Sequence, residues 1–87
     1  KLAEFEGITV LMDRGDDYAE PHVHIRMSPS GKAVYSIADA GPLSGRVPGR
    51  AGTILEGWLV VREQELLDAW EALRGGFSGD IPVPPLG

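Results

Sequence analysis

The chain has 87 residues, no cysteine, and eight basic against thirteen acidic residues, which give a formal net charge of −5. The length predicts one domain, and the missing cysteine excludes disulfides, thiolate metal sites and thiol nucleophiles. Scattered basic residues argue against nucleic-acid binding, and the lack of disulfides and of a long apolar run predicts a cytoplasmic protein with no membrane partner.

The first half of the chain has the two-residue period of β-strands. Apolar residues alternate with polar ones, and segments rich in glycine, proline and aspartate separate the runs. The pattern predicts strands over about 8–13, 22–28 and 32–37. A fourth strand over about 43–47 is weakened by nearby glycine and proline residues. We therefore expect an antiparallel meander of three, or at most four, strands.

After Pro48 the apolar residues follow a helical period. Two stripes with the spacing i, i+4, i+7 predict two consecutive helices, or one kinked helix, with the junction near Arg62-Glu63-Gln64. The first stripe contains Ile54, Trp58 and Val61, and the second contains Leu66, Trp70 and Leu73. The predicted fold is α+β, a single domain over 1–87 with a β part at 1–47, helices at 48–76 packed on one face of the sheet, and an extended tail at 77–87.

Both histidines lie in the segment Glu20-Pro21-His22-Val23-His24-Ile25. In a strand, His22, His24 and Arg26 share one face, because side chains alternate between the two sides. Two imidazoles and a carboxylate are suitable ligands for zinc or another divalent transition metal. His22, His24 and Glu20 are therefore the candidate metal ligands, with Asp13 or Asp17 as alternative carboxylates.

Two other interpretations of this motif stay open. Both histidines can lie on a solvent-facing strand and form hydrogen bonds with acidic residues or Tyr18, or they can take part in catalysis. Pro21 fixes the start of the strand in each case. Arg26, Asp13, Asp17 and Tyr18 are the candidates for a ligand-binding or interaction surface around the histidines.

Six short motifs follow one another along the chain. They are Gly7-Ile8, Glu20-Pro21-His22-Val23-His24, Gly45-Arg46-Val47-Pro48, Trp58, Glu65-Leu66-Leu67-Asp68-Ala69-Trp70 and Ile81-Pro82-Val83-Pro84-Pro85-Leu86. This series resembles domain-of-unknown-function family 4160, small bacterial proteins with a Pro-His-x-His strand and a Glu-Leu-Leu-x-x-Trp helix. The resemblance implies a companion protein, because such proteins resemble the smaller partner in two-gene operons of toxin–antitoxin type.

Taken together, these features favour a non-catalytic interaction module that binds a companion protein. No catalytic residue and no cofactor are predicted, and the net charge favours a basic partner. A homo-oligomer is a further open alternative. The alternative function is a metal-binding protein or small metal-assisted enzyme centred on His22 and His24, in which Glu20 or Asp17 would act as the base.

Overall fold

The computed structural model describes residues 2–12 and 20–75. Strands come first and helices follow, which confirms the predicted α+β class. The strands are β1 (Ala3–Phe5), β2 (Ile8–Leu11), β3 (His22–Met27), β4 (Lys32–Ser36) and β5 (Pro42–Ser44), and the helices are α1 (Gly49–Val61) and α2 (Glu63–Arg74). Among these residues, no helix is long and apolar enough to cross a membrane.

The sheet is an antiparallel meander with the strand order β1-β2-β3-β4-β5. The prediction of three or four strands was therefore too low. The missed strand β1 forms a tight hairpin with β2, in which Phe5 pairs with Ile8. Glu6 and Gly7 make the turn with φ angles of 51° and 76°, the positive values that two-residue hairpin turns require. The last strand begins at Pro42, and an edge strand tolerates proline because one of its sides forms no ladder.

The strand register separates two faces of the sheet. On the core face, Val10 pairs with Ile25, which pairs with Ala33 on the next strand. On the opposite face, which we call the open face, two rows of residues run across the strands. One row contains Thr9, Arg26 and Lys32, and the other contains Leu11, His24, Val34 and Ser44.

The predicted core residues are buried together in one cluster. These residues are Val23, Ile25, Trp58, Leu66 and Trp70, as expected from the strand and helix periods. Trp58 of α1 packs against Phe5 of β1 with 5.3 Å between the ring centres. The buried hydroxyl of Tyr35 accepts a hydrogen bond of 2.9 Å from the backbone N–H of Val47. This bond ties the segment before α1 to the core face.

The helices meet where the sequence predicts, with Arg62 between α1 and α2. The predicted stripe of α1 is correct at Trp58, which is buried together with Leu55 and Leu59, and wrong at Val61, which is 59% exposed. Apolar side chains surround most of this helix, so their spacing alone does not select the packed side. Gly52 lies on the packed side of the helix, where a Cβ atom would overlap the carbonyl oxygen of Val47. The predicted tail at 77–87 lies outside the described residues.

Candidate functional site

The first residue of β3 is a fully buried histidine. His22 has no exposed surface, and its ring lies edge-on to the Trp70 ring of α2, with 5.0 Å between the ring centres. Its Nδ1 atom is 2.8 Å from the carbonyl oxygen of Glu20. Because a carbonyl oxygen only accepts hydrogen bonds, Nδ1 carries the hydrogen in this contact.

A buried serine lies opposite His22 across the sheet. Ser36 pairs with His22 in the β3–β4 register, and its hydroxyl donates a 3.0 Å hydrogen bond to the Glu20 carboxylate. The same hydroxyl accepts a 3.2 Å bond from the backbone N–H of Asp39. Glu20 therefore contacts both buried polar side chains, through its carbonyl at His22 and its carboxylate at Ser36. These contacts connect the residue before Pro21 with the start of β3 and the end of β4.

His24 occupies a different environment from His22. The two rings are 5.2 Å apart between their centres, at an angle of 69°. His24 is only half-buried and lines the open face. The hypothesis of two solvent-facing histidines is therefore wrong for His22, because Trp70 packs against its ring and the side chain is inaccessible.

The predicted metal ligands come together only in part. His22 and His24 are neighbours, whereas the Glu20 carboxylate is bonded to Ser36. Within residues 2–12 and 20–75, no three histidine, cysteine or acidic side chains are grouped so that they could hold a metal ion. Asp13, Asp17 and Tyr18 lie outside the described residues. Metal binding through the histidines therefore stays a prediction.

A groove of about 290 Å³ lies on the open face beside His24. Its lining comes from four neighbouring strands, β2 to β5. The lining residues are Leu11, His24, Ile25, Arg26, Lys32, Ala33, Val34 and Ser44. We refer to this depression as the open-face groove.

Two positively charged side chains lie next to each other at the groove. Arg26 and Lys32 are exposed and are paired across β3 and β4. Neither side chain forms an ion pair with any acidic residue in the described part of the chain. Like charges opposite each other in a sheet repel. The groove therefore combines two cationic side chains with half-buried apolar ones.

The sequence interpretation identified Arg26 but missed its neighbours. Lys32 is placed opposite Arg26 by the turn register, in which the Met27 N–H donates a hydrogen bond to the Gly31 carbonyl, and the sequence alone does not fix that register. Val34 follows from the same β3–β4 register as Lys32, whereas Leu11 and Ser44 required the register of two further strand pairs. No local pattern predicts the contact of Trp70 with His22, since these residues come from different elements.

The comparison with protein families adds an independent result. The model of the family described as domain of unknown function DUF4160 matches residues 7–71. The chain belongs to the DUF4160 family. This match contains β2 to β5, α1 and most of α2, and so includes both histidines and the open-face groove. The searches of curated proteins and of solved structures found no match.

Proposed function

We propose that this DUF4160 protein is a non-catalytic interaction module that binds a companion protein through the open face of its sheet. The observation that carries the proposal is the open-face groove, which places half-buried Leu11 and Val34 beside exposed Arg26 and Lys32. Protein interfaces have this arrangement, an apolar centre with a polar rim. The companion would be the protein encoded beside it in a bacterial operon of toxin–antitoxin type.

The size of the groove also favours a protein partner over a small substrate. Its volume of about 290 Å³ lies just below the about 300–1,000 Å³ that is typical of small-molecule sites. A groove of this size accommodates one or two side chains of a larger partner. The neighbouring exposed sheet surface would supply the rest of the contact area.

The local charge of the groove changes the expected chemistry of the partner. The whole chain has a net charge of −5, which favours a basic partner. At the groove, however, the charged lining residues are Arg26 and Lys32, and both are positive. Local charge determines which groups are complementary at a contact. The expectation of a basic partner therefore does not apply to this surface.

A matched pair of substitutions tests the proposal. Val34→Glu puts a charge into the groove, whereas Val61→Glu makes the same change at the end of α1, where the side chain is 59% exposed. Binding of the adjacent gene's purified product, measured by calorimetry, should fall about ten-fold or more with Val34→Glu and stay unchanged with Val61→Glu. Loss of binding with Val61→Glu but not with Val34→Glu would contradict the proposal.

A second variant tests the same groove in case Val34→Glu unfolds the protein. Ser44 is exposed and lines the groove, so Ser44→Trp fills the groove without disturbing the core. Circular dichroism should show a native spectrum, and binding of the companion should be lost. A folded Ser44→Trp variant that binds the companion normally would show that the groove is not the contact.

Metal binding is the second candidate, supported by the geometry of the histidine pair. The hydrogen bond of the His22 Nδ1 to a backbone carbonyl is the usual orientation of a metal-binding imidazole, because it directs the basic Nε2 to the metal. Zinc titration of untagged protein tests this function. Micromolar or tighter binding that is lost with His24→Ala would support it, and no saturable binding would exclude it.

A further inference from the structure

We infer that the open-face groove binds an extended acidic segment of the companion protein, with its carboxylates held between Arg26 and Lys32. This inference rests on the proposed function, because it names the chemistry of the partner at the same surface. Three features carry it: the cation pair, the charge distribution around that pair, and the distance from the pair to the apolar row of the groove.

The cation pair is the first feature. Arg26 and Lys32 are directly opposite on neighbouring strands, where Cβ atoms are about 4.5–5.5 Å apart. Both side chains are exposed and form no ion pair among the described residues. A carboxylate between them accepts charge-assisted hydrogen bonds from both and offsets their repulsion.

The charge distribution on the open face is the second feature. Along the same row, the Thr9 hydroxyl donates a 3.4 Å hydrogen bond to the Glu4 carboxylate on β1. The row therefore begins with a carboxylate at the β1 edge and ends with two cations on β3 and β4. An acidic group is attracted at the second end, and this end is the part of the row that belongs to the groove.

The distance to the apolar row is the third feature. Leu11 and Val34 belong to the row that contains His24, two residues along β3 from Arg26. Two residues of a strand span about 7 Å. Side chains at positions i and i+2 of an extended peptide have the same separation on one face. A segment with an acidic residue and an apolar residue at this spacing contacts both rows, whereas a free anion contacts only the cation pair.

The test uses the peptide Ser-Glu-Ser-Leu-Ser-Glu-Ser-Leu-Ser, titrated into the ¹⁵N-labelled chain. The amide signals of Arg26, Lys32 and Val34 should shift in a saturable way. Replacing both glutamates of the peptide with glutamine should weaken binding about five-fold or more, and higher salt should weaken it further. Equal binding of the glutamine peptide, or no binding of the glutamate peptide, would overturn the inference.

Charge reversal in the protein provides the matched control. Arg26→Glu with Lys32→Glu should weaken binding of the glutamate peptide about ten-fold or more. Arg50→Glu with Arg74→Glu makes the same change in net charge outside the groove and should leave the affinity unchanged. Inorganic phosphate that competes as well as the peptide, at equal concentration, would overturn the peptide assignment in favour of a free anion.

The companion protein separates failure of this inference from failure of the proposed function. If Arg26→Glu with Lys32→Glu leaves companion binding intact while Val34→Glu abolishes it, the inference of an acidic segment is wrong. The open face is then still supported as the binding surface. If the folded Val34→Glu and Ser44→Trp variants both bind the companion normally, the binding face itself is wrong.

Discussion

His22 and His24 are two residues apart on β3, yet they differ in nearly every physical property. His22 is fully buried, packs against Trp70 and donates a hydrogen bond to the Glu20 carbonyl. His24 is half-buried and lines a groove that also contains Arg26. The first end of β3 is therefore part of the interior, and the second end lies at an open groove, where we propose that a partner binds. Alternation along a strand assigns residues to a face but does not determine where that face is covered.

Loss of the ring that packs against His22 should have the largest effect on stability. Trp70→Ala should lower the free energy of unfolding by about 3–5 kcal/mol, because it removes a buried aromatic ring and leaves a cavity. Urea denaturation measures this loss. Trp70→Phe is the control: the Trp70 Nε1 atom is buried and has no hydrogen-bond partner in the described structure, so phenylalanine sacrifices no bond and should lose less than half as much. A near-native stability of Trp70→Ala would contradict the conclusion that the His22 end of β3 is part of the stabilising core.

The two histidines should respond unequally to the same substitution. His22→Ala should cost about 2–4 kcal/mol, because it removes a buried ring and a hydrogen bond. His24→Ala should cost less than about 1 kcal/mol, since its ring is half-buried. His22→Asn should give an intermediate loss, because an amide N–H can still donate to the Glu20 carbonyl. Equal losses for the two alanine variants would remove the distinction between the ends of β3.

A smaller effect is expected at Ser36. Ser36→Ala removes the hydrogen bonds to the Glu20 carboxylate and from the Asp39 N–H. The expected cost is about 1 kcal/mol, because exposed Glu20 regains water contacts when the bond is lost. Ser44→Ala is the matched control at the open face and should be neutral in the same denaturation experiment. A larger loss of stability for Ser44→Ala than for Ser36→Ala would contradict the conclusion that the His22 end of β3 stabilises the fold.

The smallest effect should have the opposite sign. Lys32→Glu replaces a repulsive cross-strand pair with an attractive one, so it should stabilise the fold by about 0.2–1 kcal/mol. The same variant should bind the companion more weakly, because the groove loses half of its cation pair. Differential scanning calorimetry and a binding titration check the two results. A destabilised Lys32→Glu variant would show that the lysine already has a favourable partner.

The central part of the fold could be predicted from the sequence. The two-residue period placed β2, β3 and β4, and the helical period placed the helical region with a junction near Arg62-Glu63-Gln64, where the structure has two helices separated by Arg62. These elements are predictable because their apolar residues repeat over several positions. The strand β1 has only three residues, too few to establish a period. The α1 stripe failed at Val61 for a different reason, since apolar residues surround that helix on most sides.

The site was less predictable, because its contacts join distant parts of the chain. His22, His24 and Arg26 could be placed on one face from alternation alone, whereas the pairing of Arg26 with Lys32 depends on the register of the turn between them. The covering of His22 by Trp70 depends on how α2 packs, and the Ser36–Glu20 bond joins residues 16 positions apart. Neither contact leaves a local pattern. The sequence therefore indicated the face of the site but not which histidine belongs to the interior.

The most direct test of the account is the footprint of the companion protein on the ¹⁵N-labelled chain. The competing surface is the exposed pair Val60 and Val61 at the end of α1, which are 64% and 59% exposed. We expect the bound companion to shift the amide signals of His24, Arg26 and Lys32 and to leave the end of α1 unchanged. A footprint on Val60 and Val61 with an unperturbed open face would contradict the account.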